Sequence, residues 1–402
     1  MKNINVKTGY SKNRDPYKAV QELLGQIKQE NISFVYFCSD KKYNQKKVND
    51  AWRKGLPNTP FIGVTSGGWA PGLGNTTGLF TDQGIKDEGM TAMSIASEKI
   101  KIAIKPIYNM SADWKGKSEA ALKEAASELN VDLKILDPNK YFGLFFHFMY
   151  PMNQNFAEEV LDSYYNLAPN LLICGMGVVE FNLLKLALVP GRIHYNGGMV
   201  EKDGAVVAIV NSETPFLMER ASNYKIKKGP FICSKVEGKV IGELNGEPAS
   251  LSYAKETGVP VNKQGTEKML NLKLALKHPY GIKINDQIFI RGSFIPVGEN
   301  KTKLLTMYKV AEGSELYIME RTGILEDTRK MTDRIKEKLG KVSAIIYFPC
   351  ASRMKMMKDE EVSYPQMAEV LNIAPMIGIH GGPEYWAGIL SAATITCLAF
   401  GE

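Results

Sequence analysis

Cys350 and Arg353 stand three residues apart at the end of an apolar run, and His380, Gly381, Gly382 and Glu384 follow another such run. A thiol beside a guanidinium has a lowered pKa and could act as nucleophile, redox sensor or metal ligand. The alternative is a packed thiol, with Arg353 holding a ligand carboxylate through a bidentate contact. A histidine and a carboxylate on a glycine turn could anchor a polar ligand or bind metal; equally, the histidine could cap its own loop. Thr65-Ser66-Gly67-Gly68 offers hydroxyls and unhindered backbone N–H groups, a set that suits a carboxylate or phosphate.

Other chemistries find less support. The chain has four histidines, 147, 194, 278 and 380, and none pairs at i, i+4, which excludes a helical zinc site. His147 lies in an aromatic strand as a core residue, and His278 closes a helix before Pro279. His147 or His194 could ligate haem, but there is no C-x-x-C-H attachment. A nucleophile elbow needs G-x-S-x-G, and Gly63-Val64-Thr65-Ser66-Gly67 places Ser66 one position late. Gly72-Leu73-Gly74-Asn75-Thr76-Thr77-Gly78 has one residue too many for a dinucleotide fingerprint, and no G-x-x-x-x-G-K-[ST] occurs. Trp69, Tyr385 and Trp386 follow glycine turns, where their rings could wall a pocket, bind a cation, or pack between domains.

These residues need elements to position them, and the sequence repeats one recipe three times. Apolar runs 32–38, 142–148 and 342–348 are each followed by a helical stretch, a proline, a short apolar segment and a glycine (Gly63, Gly175, Gly378). The distances from Phe37 to Gly63, Phe148 to Gly175 and Phe348 to Gly378 are 26, 27 and 30 residues. That spacing predicts a strand, a crossover helix, a parallel strand and a glycine turn. At the carboxyl end of a parallel strand, backbone without side chains is where α/β proteins take small ligands. Asp15 and Pro16 open a first helix with stripe Ala19, Val20, Leu23, Leu24 and Ile27. Residues 71–89 read as a long loop, and Ile193 to Val210 as hairpins turning at Gly197-Gly198 and Asp203-Gly204.

At 402 residues the chain calls for two domains, 1–225 and 226–402, with the break near the lysine-rich turn Lys225, Lys227, Lys228. With 44% hydrophobic and 23% charged residues a large core is expected and disorder is not. The formal charge of +7 is spread along the chain without aromatic interleaving, which argues against nucleic acid. No apolar stretch suits a signal peptide or a membrane span: the longest, Ala387 to Phe400, has 14 residues. Five cysteines without C-x-x-C spacing read as reduced thiols of a cytoplasmic protein.

With these motifs in order, the chain resembles a FIST-domain protein over nearly its whole length. The N-terminal part of that family is similar to Ser33 through Ser39, Pro60 through Gly68, Gly143 through Phe146, Tyr195-Asn196-Gly197-Gly198 and Asp203 through Val207. The C-terminal part is similar to Val240 through Ala249, His278 through Gly281, Val310 through Leu316, Cys350 through Arg353, and Gly378 through Glu384. The resemblance implies a small-ligand receptor, with amino acids among its ligands and, in one bacterial branch, haem for nitric-oxide sensing. With no room for a fused F-box, kinase or cyclase, a stand-alone receptor is expected. Gly68 stands where the family often has glutamate, and Gly175-Met176-Gly177-Val178-Val179-Glu180 is a reduced Gly-Gly-x-x-x-Asp, so ligand identity does not carry over.

The expectation is an α/β protein: two domains of repeated β-α-β units, mixed sheets flanked by helices, and a cleft between them. It would be a cytoplasmic sensor of an amino-acid-like or carboxylate metabolite, acting on a downstream signalling protein, with neither membrane nor nucleic acid as partner. Candidate ligand contacts are Thr65, Ser66, Gly67, Gly68, Asn196, Cys350, Arg353, His380, Gly381, Gly382 and Glu384; no metal or cofactor is expected. The alternatives are an enzyme using Cys350 or His380 with Glu384, and a haem-binding nitric-oxide sensor.

Overall fold

Each apolar run becomes a central strand, and each glycine-bearing phrase becomes its parallel neighbour. Ile32–Asp40 pairs with Phe61–Ser66, Tyr141–His147 with Leu172–Gly177, and Val342–Pro349 with Met376–Ile379. Parallel strands need a long connection. Here it is helical: Gln45–Gly55, Ala157–Leu167, and in the third case Ser352–Asp359 with Tyr364–Leu371. On its other side each central strand takes an antiparallel partner, Met90–Ala96, Gly204–Ser212 or Ile395–Gly401. Beyond that lies the strand that opens the repeat, Asn5–Ser11, Ile100–Tyr108 or Phe216–Ala221.

The computed structural model describes residues 4–66, 78–148, 156–182, 187–266, 269–270, 272–292, 295–306 and 308–402. Its contacts form two units. The first is Met1–Ala221 with Thr328–Ile389 and Ile395–Glu402, and the second is Ser222–Asp327 with Leu390–Thr394. All three repeats belong to the first unit, and the second is inserted in sequence after the opening strand of the third repeat.

The three sheets are linked in a cycle. Hairpin Leu79–Thr81/Gly84–Lys86 of the first repeat extends the third sheet at Met376–Ile379. Glu384–Trp386 of the third extends the second at Leu172–Gly177, and Ile193–Tyr195/Gly198–Val200 of the second extends the first at Phe61–Ser66. Each repeat thus covers an edge that would otherwise expose unpaired N–H and C=O groups. The sequence reading of 71–89 as a loop is corrected for its described part: residues from Leu79 on form this hairpin. Its turn, Asp82-Gln83, closes on Gly84, whose φ of +93° side chains disfavour.

Strand alternation turns one face of all three sheets into a shared core, with Tyr36 and Cys38 from the first, Phe146 and Cys174 from the second, and Phe348 and Leu398 from the third. The rings of Tyr36, Phe146 and Phe348 meet with centroids 5.8, 5.9 and 6.3 Å apart. Helices cover the opposite faces. In the first repeat, Val20 and Leu23 of Pro16–Ile27 and Trp52 of Gln45–Gly55 pack on Val35, Phe37 and Phe61. In the third, Glu219 of the opening strand holds helix Ile324–Leu339 through Arg334 at 3.0 Å and Lys338 at 2.7 Å.

The glycine of each phrase has a structural cause. Gly63 lies between Phe37 and His194 on the two flanking strands, Gly175 between Phe145 and Tyr385, and Gly378 between Tyr347 and Phe80. In each sheet the two flanking rings approach across the missing side chain, with centroids 5.2, 5.5 and 6.0 Å apart. A Cβ on Gly63 would stand 2.1 Å from the Phe37 ring. On Gly175 and Gly378 it would stand 2.0 and 2.5 Å from the carbonyl oxygens of Phe145 and Tyr347.

The second unit is built mainly of antiparallel strands. Tyr224–Glu237 pairs with Glu315–Arg321 and Val240–Leu244, over a core that includes Phe231, Tyr253, Tyr280 and Leu316. Lys225, Lys227 and Lys228 are part of strand Tyr224–Glu237 and not of a turn; Lys225 pairs with Glu320 at 3.2 Å and Lys228 with Glu256. The architecture is mixed α/β with helix-flanked sheets, none closed into a barrel. Among the described residues no helix is long and apolar enough to cross a membrane.

Ring closure over Gly63 predicts that Gly63→Ala lowers stability by about 1–3 kcal/mol through overpacking. Gly25→Ala, in helix Pro16–Ile27 with nothing near its Cβ position, should raise stability by roughly 0.5–1 kcal/mol. Urea unfolding of both variants checks the pair, and a Gly63→Ala protein as stable as Gly25→Ala would contradict the ring-closure account.

Candidate functional site

At the carboxyl ends of the parallel strands the bends of the three repeats interlock through main-chain hydrogen bonds. Thr65 N–H donates to the Arg192 carbonyl (3.0 Å), Gly177 N–H to Pro383 (2.8 Å) and His380 N–H to Gly78 (3.3 Å), the same bond in each repeat. Gly381 N–H goes to Pro349 (2.9 Å) and Gly382 N–H to Gly177 (2.6 Å). A Cβ on Gly381 or Gly382 would stand 2.9 or 3.0 Å from the Gly177 carbonyl oxygen. These two glycines therefore let the second and third repeats touch; the Gly382 N–H is committed to that contact and the Gly381 N–H to Pro349 within the third repeat.

The structure brings several of the sequence-derived candidates to this region. His380 is 1% exposed and its Nδ1 lies 3.1 Å from the Gly78 carbonyl, so the ring caps a chain bend. Burial, with the Arg353 charge, pulls its pKa down to about 3. Cys350 Sγ accepts from the Ser352 hydroxyl at 3.0 Å, and its backbone bridges Gly381. Arg353 is 2% exposed and donates to Thr328 Oγ1 at 2.8 Å. Glu384 is buried in the strand that extends the second sheet, in the field of Arg220. The cation over the Trp386 ring is that same Arg220, 5.2 Å from its centroid. Asn196 is exposed at the tip of the 193–200 hairpin. Gly67, Gly68 and Trp69 lie outside the described residues.

Two other histidines, His147 and His194, are also engaged. His147 contacts the Tyr385 hydroxyl through its Nδ1. Buried His194 lies tilted against the Phe37 ring and 3.1 Å from Gln45 Oε1. Burial, then the Arg192 charge, lowers its pKa to about 3.

The carboxyl end of the first sheet holds the charged part of the site. Thr65 Oγ1 donates to Glu180 Oε1 at 2.6 Å and accepts from Arg192 N–H at 2.7 Å. Burial raises the Glu180 pKa, and the Thr65 hydrogen bond and the Arg192 and Lys41 charges oppose that rise. Ser66 ends this strand. Beside it, at the end of strand Ile32–Asp40, is a cavity of about 440 Å³ walled by Lys12, Arg14, Asp40, Lys42, Tyr43 and Glu88. Sequence reasoning missed all six, and missed Arg192. One signal was present: counting three residues past the ring that faces each phrase glycine reaches Asp40, Phe148 and Cys350, and only the first is charged.

A histidine with a folded pKa near 3 and an unfolded value of 6.5 binds its proton more readily in the unfolded chain. Stability is therefore full above pH 6.5 and lost as pH falls toward 3, by up to about 1.4 kcal/mol per pH unit for each of His194 and His380. Glu180 works in the opposite sense, since its raised pKa favours proton uptake by the folded state. His380→Asn keeps an N–H for Gly78 and removes one titrating group, so its stability profile between pH 6.5 and 4 should be shallower. Urea midpoints across that range read the difference, and a profile superimposable on wild type would contradict the buried neutral His380.

The FIST N domain matches residues 34–247 and the FIST C domain residues 253–385. An uncharacterized protein of Methanocaldococcus jannaschii is 23% identical over 347 residues, 82% of this chain; the match spans 62% of that relative's length. A cyanuric acid hydrolase from A. caulinodans aligns at 10% identity over 52% of this chain and 72% of its own, with a TM-score of 0.28, too low to carry fold or activity across. The domain matches cover most of the chain, with the three repeats and the inserted unit between them: this protein belongs to the FIST family.

Proposed function

We propose that this protein is a cytoplasmic sensor that binds an amino-acid-like or carboxylate metabolite and reports its presence to a downstream signalling protein. FIST domains are generally taken as small-ligand-binding signalling domains. The observation that carries the reading is the cavity at the carboxyl end of the first central strand, with charges of both signs on its wall. Its position follows the rule for ligand sites in α/β sheets.

Recognition rather than catalysis is favoured by where the polar groups go. Among the described residues, the hydrogen bonds of the His380 side chain run to Gly78 and not to Cys350 or Glu384. A ring held neutral down to about pH 3 is poorly matched to proton transfer near neutrality. Arg353 donates to buried Thr328 and is not among the residues of the cavity wall.

Purified full-length protein should be stabilised by a subset of amino acids and small carboxylates in a thermal-shift panel. A ligand at 100 times its Kd adds about 2.7 kcal/mol. Native mass spectrometry should show the same ligand bound one to one. A protein that no member of the panel stabilises, and that carries no small molecule from its host, would count against a sensor of this class.

A further inference from the structure

The lysines are spread along the chain, but the excess of positive charge is not. Residues 1–55 hold 12 Lys and Arg against 5 Asp and Glu, and residues 56–402 hold 38 of each. The whole formal charge of +7 therefore lies in the opening strand, the central strand and the first two helices of the first repeat. A field concentrated in this way steers anionic partners to one side of a molecule.

Helix Gln45–Gly55 presents much of that charge. It buries Val48, Asn49, Ala51 and Trp52 and exposes Lys46, Lys47, Asp50, Arg53 and Lys54. At 3.6 residues per turn the five exposed positions fall within about 120° of arc, on a helix about 16 Å long. Lys46, Lys47, Arg53 and Lys54 make no ion pair among the described residues. Helix Pro16–Ile27 lies alongside. The Tyr43 hydroxyl donates to the Asn13 carbonyl at 2.7 Å, which ties the segments that lead into the two helices, and Leu24 packs against Gly55 at their ends. Exposed Lys12, Arg14, Tyr17 and Lys18 at the start of the first helix thus extend the face formed by the second.

Folding does not account for these charges. The first turn of helix Gln45–Gly55 has no carboxylate, and Lys46 and Lys47 stand where the macrodipole disfavours cations. At the same place in the second repeat, helix Ala157–Leu167 has Glu158 and Glu159 in its first turn, Asp162 beyond, and no basic residue. One crossover position accepts either sign, so the architecture does not dictate it.

We propose that this basic face of the first repeat docks an acidic segment of a partner protein, with Arg53 placed for a bidentate contact to carboxylate. Asp50 lies in the middle of the stripe, where the unbroken negative charge of a nucleic-acid backbone would meet repulsion; a protein segment can set a neutral or basic residue opposite it. Insertion into an anionic membrane needs apolar side chains beside the basic ones, and within the described part of residues 1–55 the one exposed large apolar side chain is Tyr17. An exposed tyrosine among basic residues suits a protein interface. Lys12 and Arg14 also belong to the cavity wall, so the docking face adjoins the candidate ligand site. The inference gives the chemistry of the signalling partner in the sensor reading above and rests on that reading for the partner's role, not for the face itself.

The test is fluorescence anisotropy of the full chain at about 150 mM ionic strength. The probes are a short helical peptide of glutamate and alanine, its glutamine counterpart, a short duplex DNA, and vesicles of phosphatidylcholine and phosphatidylserine in equal parts. The acidic peptide should bind, with the glutamine peptide at least about tenfold weaker and neither DNA nor vesicles tighter. Lys46→Gln/Lys47→Gln/Arg53→Gln/Lys54→Gln should weaken peptide binding at least about tenfold, with a melting temperature close to wild type. Lys101→Gln/Lys115→Gln/Lys140→Gln/Lys202→Gln removes the same charge from exposed positions of the second repeat and should keep binding within about twofold of wild type. Equal loss in the two variants makes binding a matter of net charge and overturns the docking face. Tighter binding of DNA or of vesicles overturns the protein partner, and an acidic peptide that does not bind overturns the proposal as a whole. The metabolite panel is read separately: its failure with peptide binding intact removes the sensor reading and leaves the face, and a stabilising metabolite without peptide binding does the reverse.

Discussion

Three glycines without side chains, each with a ring from either flanking strand closing over it, form the constraint on which the first unit depends. Aromatic pairs of this kind add about 0.5–1.5 kcal/mol beyond their buried area. Their larger effect is on register. A slip of one residue would turn Phe37, Phe145 or Tyr347 into the wrong face and bring a side chain beneath the partner ring. In each sheet the second ring belongs to the hairpin of another repeat: His194, Tyr385 and Phe80. Correct pairing over the glycine therefore also selects the correct neighbouring repeat, and local register and global closure are satisfied by one contact.

Once that cycle closes, the bends after the second parallel strands meet. Their backbone N–H groups are used among themselves, through Thr65 to Arg192, Gly177 to Pro383 and His380 to Gly78. The glycine richness of this end of the unit is accounted for by close approach of backbone to backbone. A ligand must then be recognised by side chains in which the repeats differ. At the place shared by Asp40, Phe148 and Cys350, two repeats carry apolar or weakly polar groups and one carries a carboxylate. At the place shared by Thr65, Gly177 and His380, the first holds Glu180 and Arg192 by hydrogen bonds, the second admits Pro383 and the third caps Gly78.

The same logic explains the state of the histidines. His194 occupies a ring position of the glycine contact, and His147 stacks near Phe145 at 5.7 Å, so both serve as aromatic bodies whose nitrogens need local partners. Burial keeps His194 and His380 neutral well below neutral pH. Groups held in that way stiffen a scaffold. Lys12 and Arg14, exposed on the cavity wall that Asp40 also lines, have no ion-pair partner among the described residues.

The sequence by itself determined the local units. Apolar runs of seven residues followed at similar distances by proline and glycine read as strand, crossover helix and parallel strand, and the α/β class followed. The helix start at Asp15-Pro16 was legible because caps are written in adjacent residues. The family was legible in the order of many short motifs. The cyclic exchange of hairpins was not, because pairing of Phe80 with Gly378 joins residues about three hundred positions apart and leaves no local signature. The cavity was not legible for the same reason: Arg14, Asp40 and Glu88 lie in three separate segments, each unremarkable alone. Their meeting is decided by sheet order, which tertiary packing sets and which no spacing along the chain encodes.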